Sequence, residues 1–164
     1  MINFDTTFLD YPDPNNIAVV VIMSGCIHNC PGCQNPLLQK PFIRSEEEIG
    51  DVLSKISELC ERNETNKIVL TGGDPLSPNN RDLTAQICYY LGKNGEGNDI
   101  CIYTGYLASE VKKMKIEGFK YIKCGKFDCN NIQKSEKTDK YIQFIIFHLF
   151  YHILRNRYIP PMSL

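Results

Sequence analysis

Four short apolar runs with amphipathic segments between them leave this chain little choice of architecture. Residues 17–23 read IAVVVIM, a continuous β-branched run of the kind found in strands buried on both faces. Lys67 to Thr71 (KIVLT), Asp99 to Tyr103 (DICIY) and Tyr121 to Cys124 (YIKC) repeat the pattern. Between them the period lengthens to that of a helix. From Ser45, SEEE sets Glu48 three residues on in capping-box register, and Ile49, Val52, Leu53, Ile56 and Cys60 continue at helical spacing. A second helix is predicted from about Arg81 to Leu91, with Leu83, Ile87, Cys88 and Leu91 inward and Gly92 as its stop. A third runs from about Ser109 to Ile116. Strands alternating with helices imply βαβ units, hence an α/β fold with a mostly parallel sheet. The loops after the strands then gather along one edge, where ligands bind in such sheets. That edge would collect a cysteine-rich loop, GGDP (72–75) and TGY (104–106).

The chain has eight cysteines among 164 residues. Its N-terminus, MINFDTTFLDYPDP, has no basic region followed by an apolar run, so a cytoplasmic setting with reduced thiols is expected, not a disulfide framework. Cys60, Cys88, Cys101 and Cys124 stand singly in apolar or amphipathic segments and read as core, where a free thiol behaves as a small hydrophobe. Cys129, in FDCNN, is ambiguous. Only Cys26, Cys30 and Cys33, in SGCIHNCPGC, have a spacing that asks for chemistry.

Offsets of 0, 4 and 7 would align the three on one helix face, but Pro31 and Gly32 disfavour a helix interior and Gly25 marks a turn. The segment is a loop wrapped around something. A structural zinc site wants four ligands, and His28 is the nearest fourth candidate. A redox dithiol could use Cys30 and Cys33 but leaves Cys26 unexplained. A [4Fe–4S] cluster held by three thiolates would keep one iron open to a small molecule.

A net charge of −1 gives no sign of electrostatic capture of nucleic acid or of a membrane surface. The most apolar stretch, Tyr141 to Leu154, is shorter than the roughly 20 residues a spanning helix needs. No nucleic-acid or membrane partner is expected. His148 and His152 lie four apart in that aromatic run without an acidic companion, and packing is the better reading.

CxxxCxxC after a first buried strand resembles the radical S-adenosylmethionine (SAM) superfamily. SGCIHNCPGC, then TGGDPLSPNN, IYTGY and GKF, in that order, resemble its activases of anaerobic ribonucleoside-triphosphate reductases. The resemblance covers about residues 8–128, roughly three quarters of a single domain spanning 1–164. It implies one [4Fe–4S] cluster ligated by Cys26, Cys30 and Cys33. It implies SAM on the open iron, reductive cleavage to a 5′-deoxyadenosyl radical, and a glycyl radical left on the partner reductase. Gly32, Cys33 and Gln34 correspond to the contacts with the adenine end of SAM. Gly72 and Gly73 correspond to the loop that holds its amino group, with Asp74 placed to support the ammonium. Thr104, Gly105 and Tyr106 correspond to the SAM pocket or the channel for the partner's glycine loop. An external electron donor such as a flavodoxin is implied as well.

A complete eight-stranded barrel needs about 250 residues. Four clear strands, five or six with the ends, therefore imply an open partial (β/α) barrel of the radical SAM type. Other small radical SAM enzymes, such as a different glycyl-radical activase or a deazapurine synthase, are the rival enzymes. A zinc- or cluster-binding module is the non-enzymatic rival. Departures from the family pattern are Gln34, where tyrosine is common, DYPDPNN (10–16), which lacks the usual glycines, and the atypical tail 129–164.

Overall fold

The computed structural model describes residues 2–7, 12, 17–41, 46–92 and 95–127. In chain order the elements are β1 (Ile2–Thr7), β2 (Ala18–Met23), a 3-10 turn (Pro36–Leu38), α1 (Glu46–Arg62) and β3 (Lys67–Gly72). They continue with α2 (Arg81–Leu91), β4 (Asp99–Thr104), α3 (Ala108–Met114) and β5 (Tyr121–Cys124).

The strands form one sheet in the order β1-β2-β3-β4-β5. β1 is antiparallel to β2, and the remaining pairings are parallel. Register lines up Phe4, Val21, Leu70, Ile102 and Ile122 in a row across all five strands. That row faces the helices. Val21, Leu70 and Ile102 pack in one buried cluster with Ile56 of α1, Leu83 and Ile87 of α2, and Val111 of α3. Residues one step along each strand point the other way, as the pleat demands. Ala18, Val20, Ile22, Val69, Cys101 and Tyr103 form a second buried cluster with Leu38. Every residue of β2 is therefore buried, which explains why its sequence is uninterruptedly apolar instead of an alternation.

Strand order never reverses, and α1, α2 and α3 contribute to the same cluster, so these three share one side of the sheet. A doubly wound fold would have a reversal and helices on both sides. The parallel α/β expectation is met. β1 adds a fifth strand whose alternate residues Ile2 and Phe4 pack on the helix-side core. α3 is shorter than predicted, because Lys115 takes the left-handed conformation (φ 53°) and ends it. At its start, Leu107 N–H donates to the Glu110 carboxylate at 2.7 Å. Ser45, Cys129, DYPDPNN save Pro12, and the tail with His148 and His152 lie outside the described residues. Among the described residues no helix is long and apolar enough to cross a membrane.

Cys60, Cys88 and Cys101 are buried, as their isolated positions predicted. Burial pushes the Cys60 thiol up to about 11, with Glu96 adding to it, and Cys88 up to about 12. An unfolded thiol ionises near 8.5, so above that pH the unfolded chain loses protons that the folded chain keeps. Stability that is complete below pH 8.5 should therefore fall as pH rises toward 11–12, by up to about 1.4 kcal/mol per pH unit per thiol. Urea unfolding under reducing conditions checks this. Cys88→Ala should start less stable and show a shallower decline than the wild type.

Candidate functional site

β2 delivers the chain to Gly25, which sits at φ 106° and is followed by the cysteine loop. Two backbone bonds close the base of that loop: Gly25 N–H to Leu38 O at 2.6 Å and Cys26 N–H to Gln39 O at 3.0 Å. Inside it, Cys33 N–H donates to Cys30 O at 3.1 Å across a Pro31–Gly32 turn. Asn29 (φ 46°) and Gly32 (φ 68°) supply the left-handed bends. The segment is a loop, as proline and glycine required. Its three thiols are free and half-buried. Backbone N–H groups already point at two of them, His28 N to Cys26 Sγ at 3.5 Å and Asn35 N to Cys33 Sγ at 3.4 Å. Burial is the largest influence on Cys26 and raises its thiol; the His28 amide opposes it.

The end of β3 is stitched to this loop. Gly73 N–H donates to Met23 O at 2.7 Å, and Asp74 N–H to Gly25 O at 2.9 Å. Asn80 Nδ2 donates to both Gly25 O (3.1 Å) and Asp74 O (2.9 Å). A Cβ on Gly73 would drive into the carbonyl oxygens of Gly25 and Leu38. Glycine is needed here because two backbones touch.

Asp74 is a hub. It is 1% exposed, and its carboxylate accepts from Leu76 N–H (2.7 Å), Gly105 N–H (2.9 Å) and the Thr104 hydroxyl (2.9 and 3.0 Å to its two oxygens). His28 Nε2 lies 2.5 Å from Asp74 Oδ2. One side chain thus ties together the loops that follow β2, β3 and β4. Tyr106 stacks edge-on against His28, with ring centroids 4.6 Å apart, and Arg81 sits 5.9 Å above the Tyr106 ring.

One cavity opens where these loops meet. The first loop lines it with Cys26, His28, Cys30, Cys33 and Gln34; the second with Thr71, Gly72 and Gly73; the third with Thr104 and Gly105. β5 and the residues after it contribute Lys123, Cys124, Lys126 and Phe127. Of the candidate residues named from sequence, Cys26, Cys30, Cys33, Gln34, Gly72 and Gly73 come together here. Gly32 is exposed on the loop's outer turn, and Asp74 is buried behind the wall. Tyr106 packs on His28 and is absent from the described lining.

Sequence reasoning passed over two residues. Cys124 packs against the helix-side core, as expected, and in addition borders the cavity, half-buried at the end of β5. Lys123 was read only as a strand residue. The available signal was a lone charge inside YIKC, a run otherwise fit for a buried strand.

The donor set has the chemistry of an iron–sulfur site: three uncrosslinked thiols, Cys26, Cys30 and Cys33, line one cavity, and thiolates are the usual ligands of such clusters. Gln34 also leaves its side-chain oxygen buried without a partner, an acceptor available to a ligand's N–H group.

The chain belongs to the family described as a 4Fe-4S single cluster domain, which matches residues 16–144. The relatives it resembles are each called an anaerobic ribonucleoside-triphosphate reductase-activating protein. That of Enterobacteria phage T4 is 28% identical over 138 residues, 78% of this chain and 83% of the relative. That of Escherichia coli (strain K12) is 28% identical over 102 residues, 59% of this chain and 64% of the relative. That of Haemophilus influenzae is 32% identical over 106 residues, 62% of this chain and 66% of the relative. The chain thus spans just under two thirds of those two bacterial proteins. No solved structure matches it.

Proposed function

We propose that this chain activates an anaerobic ribonucleoside-triphosphate reductase by generating a glycyl radical on it, as a small radical SAM enzyme. The observation that carries this reading is the joining of three free thiols to a Gly-Gly loop around one cavity, in a chain of the single-cluster 4Fe-4S family. Cys26, Cys30 and Cys33 would hold the cluster and leave its fourth iron for SAM. When bound, the cluster and SAM together supply reductive cleavage of the sulfonium to methionine and a 5′-deoxyadenosyl radical, which takes a hydrogen atom from a glycine of the reductase.

The protein's own residues do the positioning. Amides of His28 and Asn35 donate to the sulfurs of Cys26 and Cys33 and so fix where those sulfurs point. Gly32, Cys33 and Gln34 flank the adenine end, where the unpaired Gln34 oxygen can accept a hydrogen bond. Gly72 and Gly73 present backbone to the amino group. Asp74 contributes by holding that loop in place, since its oxygens already receive four donors. The fold would be an open partial barrel whose uncovered rim admits the reductase's glycine loop. An external reductant such as a flavodoxin would supply the electron, in the cytoplasm.

Anaerobic reconstitution with iron and sulfide tests the reading. About four irons per chain are expected for a single cubane. Added reductant should then release 5′-deoxyadenosine from SAM, and added reductase should develop a glycyl radical signal in electron paramagnetic resonance. A protein that takes up one zinc and cleaves no SAM would end the proposal.

A further inference from the structure

His28 divides its contacts between backbone and side chain. Its amide belongs to the cysteine loop and donates to Cys26 Sγ at 3.5 Å. Its ring belongs to the two loops alongside. Nε2 lies 2.5 Å from Asp74 Oδ2, just past the Gly-Gly pair, and the ring stands edge-on to Tyr106 of the loop after β4, with centroids 4.6 Å apart. The side chain is only 7% exposed, so it fills the space between loops.

Gly105 shows the same fit from the other side. A Cβ there would drive into the imidazole, and the three nearest atoms it would meet all belong to His28. Gly105 is not one of the glycines with positive φ, so the ring, and not the turn, is what asks for glycine. That ring is held from two directions by Asp74 and Tyr106. Tyr106 in turn lies under Arg81, whose guanidinium is tied to Leu76 O at 3.0 and 3.2 Å.

The cysteine loop is closed by backbone bonds, Gly25 to Leu38, Cys26 to Gln39 and Cys33 to Cys30. A ring that contacts Asp74, Gly105 and Tyr106 therefore decides where the loop stands, not whether it forms.

We propose that His28 is the positioning residue of this site. Its side chain locks the cysteine loop against Asp74 and Gly105, and so sets how a cluster held by the first loop meets SAM held by the second. The identity of both groups rests on the activase reading, whereas the lock itself is a property of the apoprotein.

Two measurements test it. The first is a double-mutant cycle in the apoprotein, read by the urea midpoint. Gly105→Ala should lower the midpoint in the wild-type background, since the added methyl overpacks a held ring. In the His28→Ala background it should lower the midpoint by no more than about half as much, because the space has been vacated. Equal losses in the two backgrounds overturn the proposal.

The second uses reconstituted protein. His28→Ala should load about four irons per chain and give the wild-type electron paramagnetic resonance spectrum when reduced without SAM. Added SAM should perturb that spectrum clearly in the wild type and less in the variant. Release of 5′-deoxyadenosine should fall roughly 100-fold, the cost of a misplacement of about 1 Å. His28→Gln, whose amide can still donate to Asp74, should recover part of both. A wild-type response to SAM in His28→Ala overturns the proposal. Loss of iron from both variants also overturns it, because His28 would then hold the cluster. If only the alanine variant fails to load, an attenuated SAM response in His28→Gln supports the lock and an unchanged one overturns it. A wild type that carries four irons and neither binds nor cleaves SAM sinks the activase reading itself, whereas additivity in the apoprotein sinks only the lock.

Discussion

Alanine at Cys26, Cys30 or Cys33 should each reduce the iron held after anaerobic reconstitution from about four per chain to below one, because a cubane left with two protein thiolates exposes two of its irons. The loop itself should survive, since its base is closed by the Gly25–Leu38 and Cys26–Gln39 backbone bonds and not by the thiols. Near-wild-type thermal stability of the apo-variants would show this. Cys60→Ala is the matching control: its thiol is buried under α1, in the helix-side core, and iron content should not change. Cys124→Ala is the sharper comparison, because that thiol borders the same cavity. Its iron content should also be near normal. If iron were lost there too, four thiols would enclose the cluster, no iron would remain open, and the SAM chemistry would lose its foothold.

Asp74→Ala should cost about 3–5 kcal/mol in urea unfolding of the apoprotein, since several buried donors lose their acceptor at roughly 1–3 kcal/mol each. The substitution strands the Leu76 and Gly105 N–H groups and the Thr104 hydroxyl, and leaves His28 without its partner in a nearly closed environment. Asp74→Asn should lose less, because it keeps one oxygen acceptor while setting an NH2 group against donors. A loss under 1 kcal/mol for alanine would show that the network is not what holds the three loops. Domains of this size are stable by only about 5–15 kcal/mol, so the full effect should be visible as a broad loss of folded protein.

Much of the architecture was legible because burial leaves strong marks on sequence. IAVVVIM could be read as a doubly buried strand since β2 is covered on both faces, and the period of α1 and α2 could be read from Ile56, Leu83 and Ile87. β1 was less legible: INFDTT alternates, and its inward pair Ile2 and Phe4 is a weak signal without the partner strand. At the site, the cysteine spacing and the Gly-Gly pair marked two loops that meet at one cavity. Asp74 did not, because a carboxylate aimed at a ligand and one aimed at three neighbouring loops have the same letter. Lys123 was hidden for a related reason. Its place on the face of the sheet opposite the helices emerges only when Tyr103 and β5 are set in register. Cys124 is the converse case: a thiol at a strand end can pack on the core and border a cavity at once, and composition shows only the first.

The unreversed strand order carries a consequence for how the molecule is made. Each strand's partner is the one immediately before it, so no pairing waits on a distant segment, and the sheet can grow in step with translation. The cysteines, however, emerge from the ribosome well before β5 supplies the far wall. The nascent chain therefore passes through a stage with these three thiols uncovered, and under the proposed function cluster loading is best timed after β5 has docked.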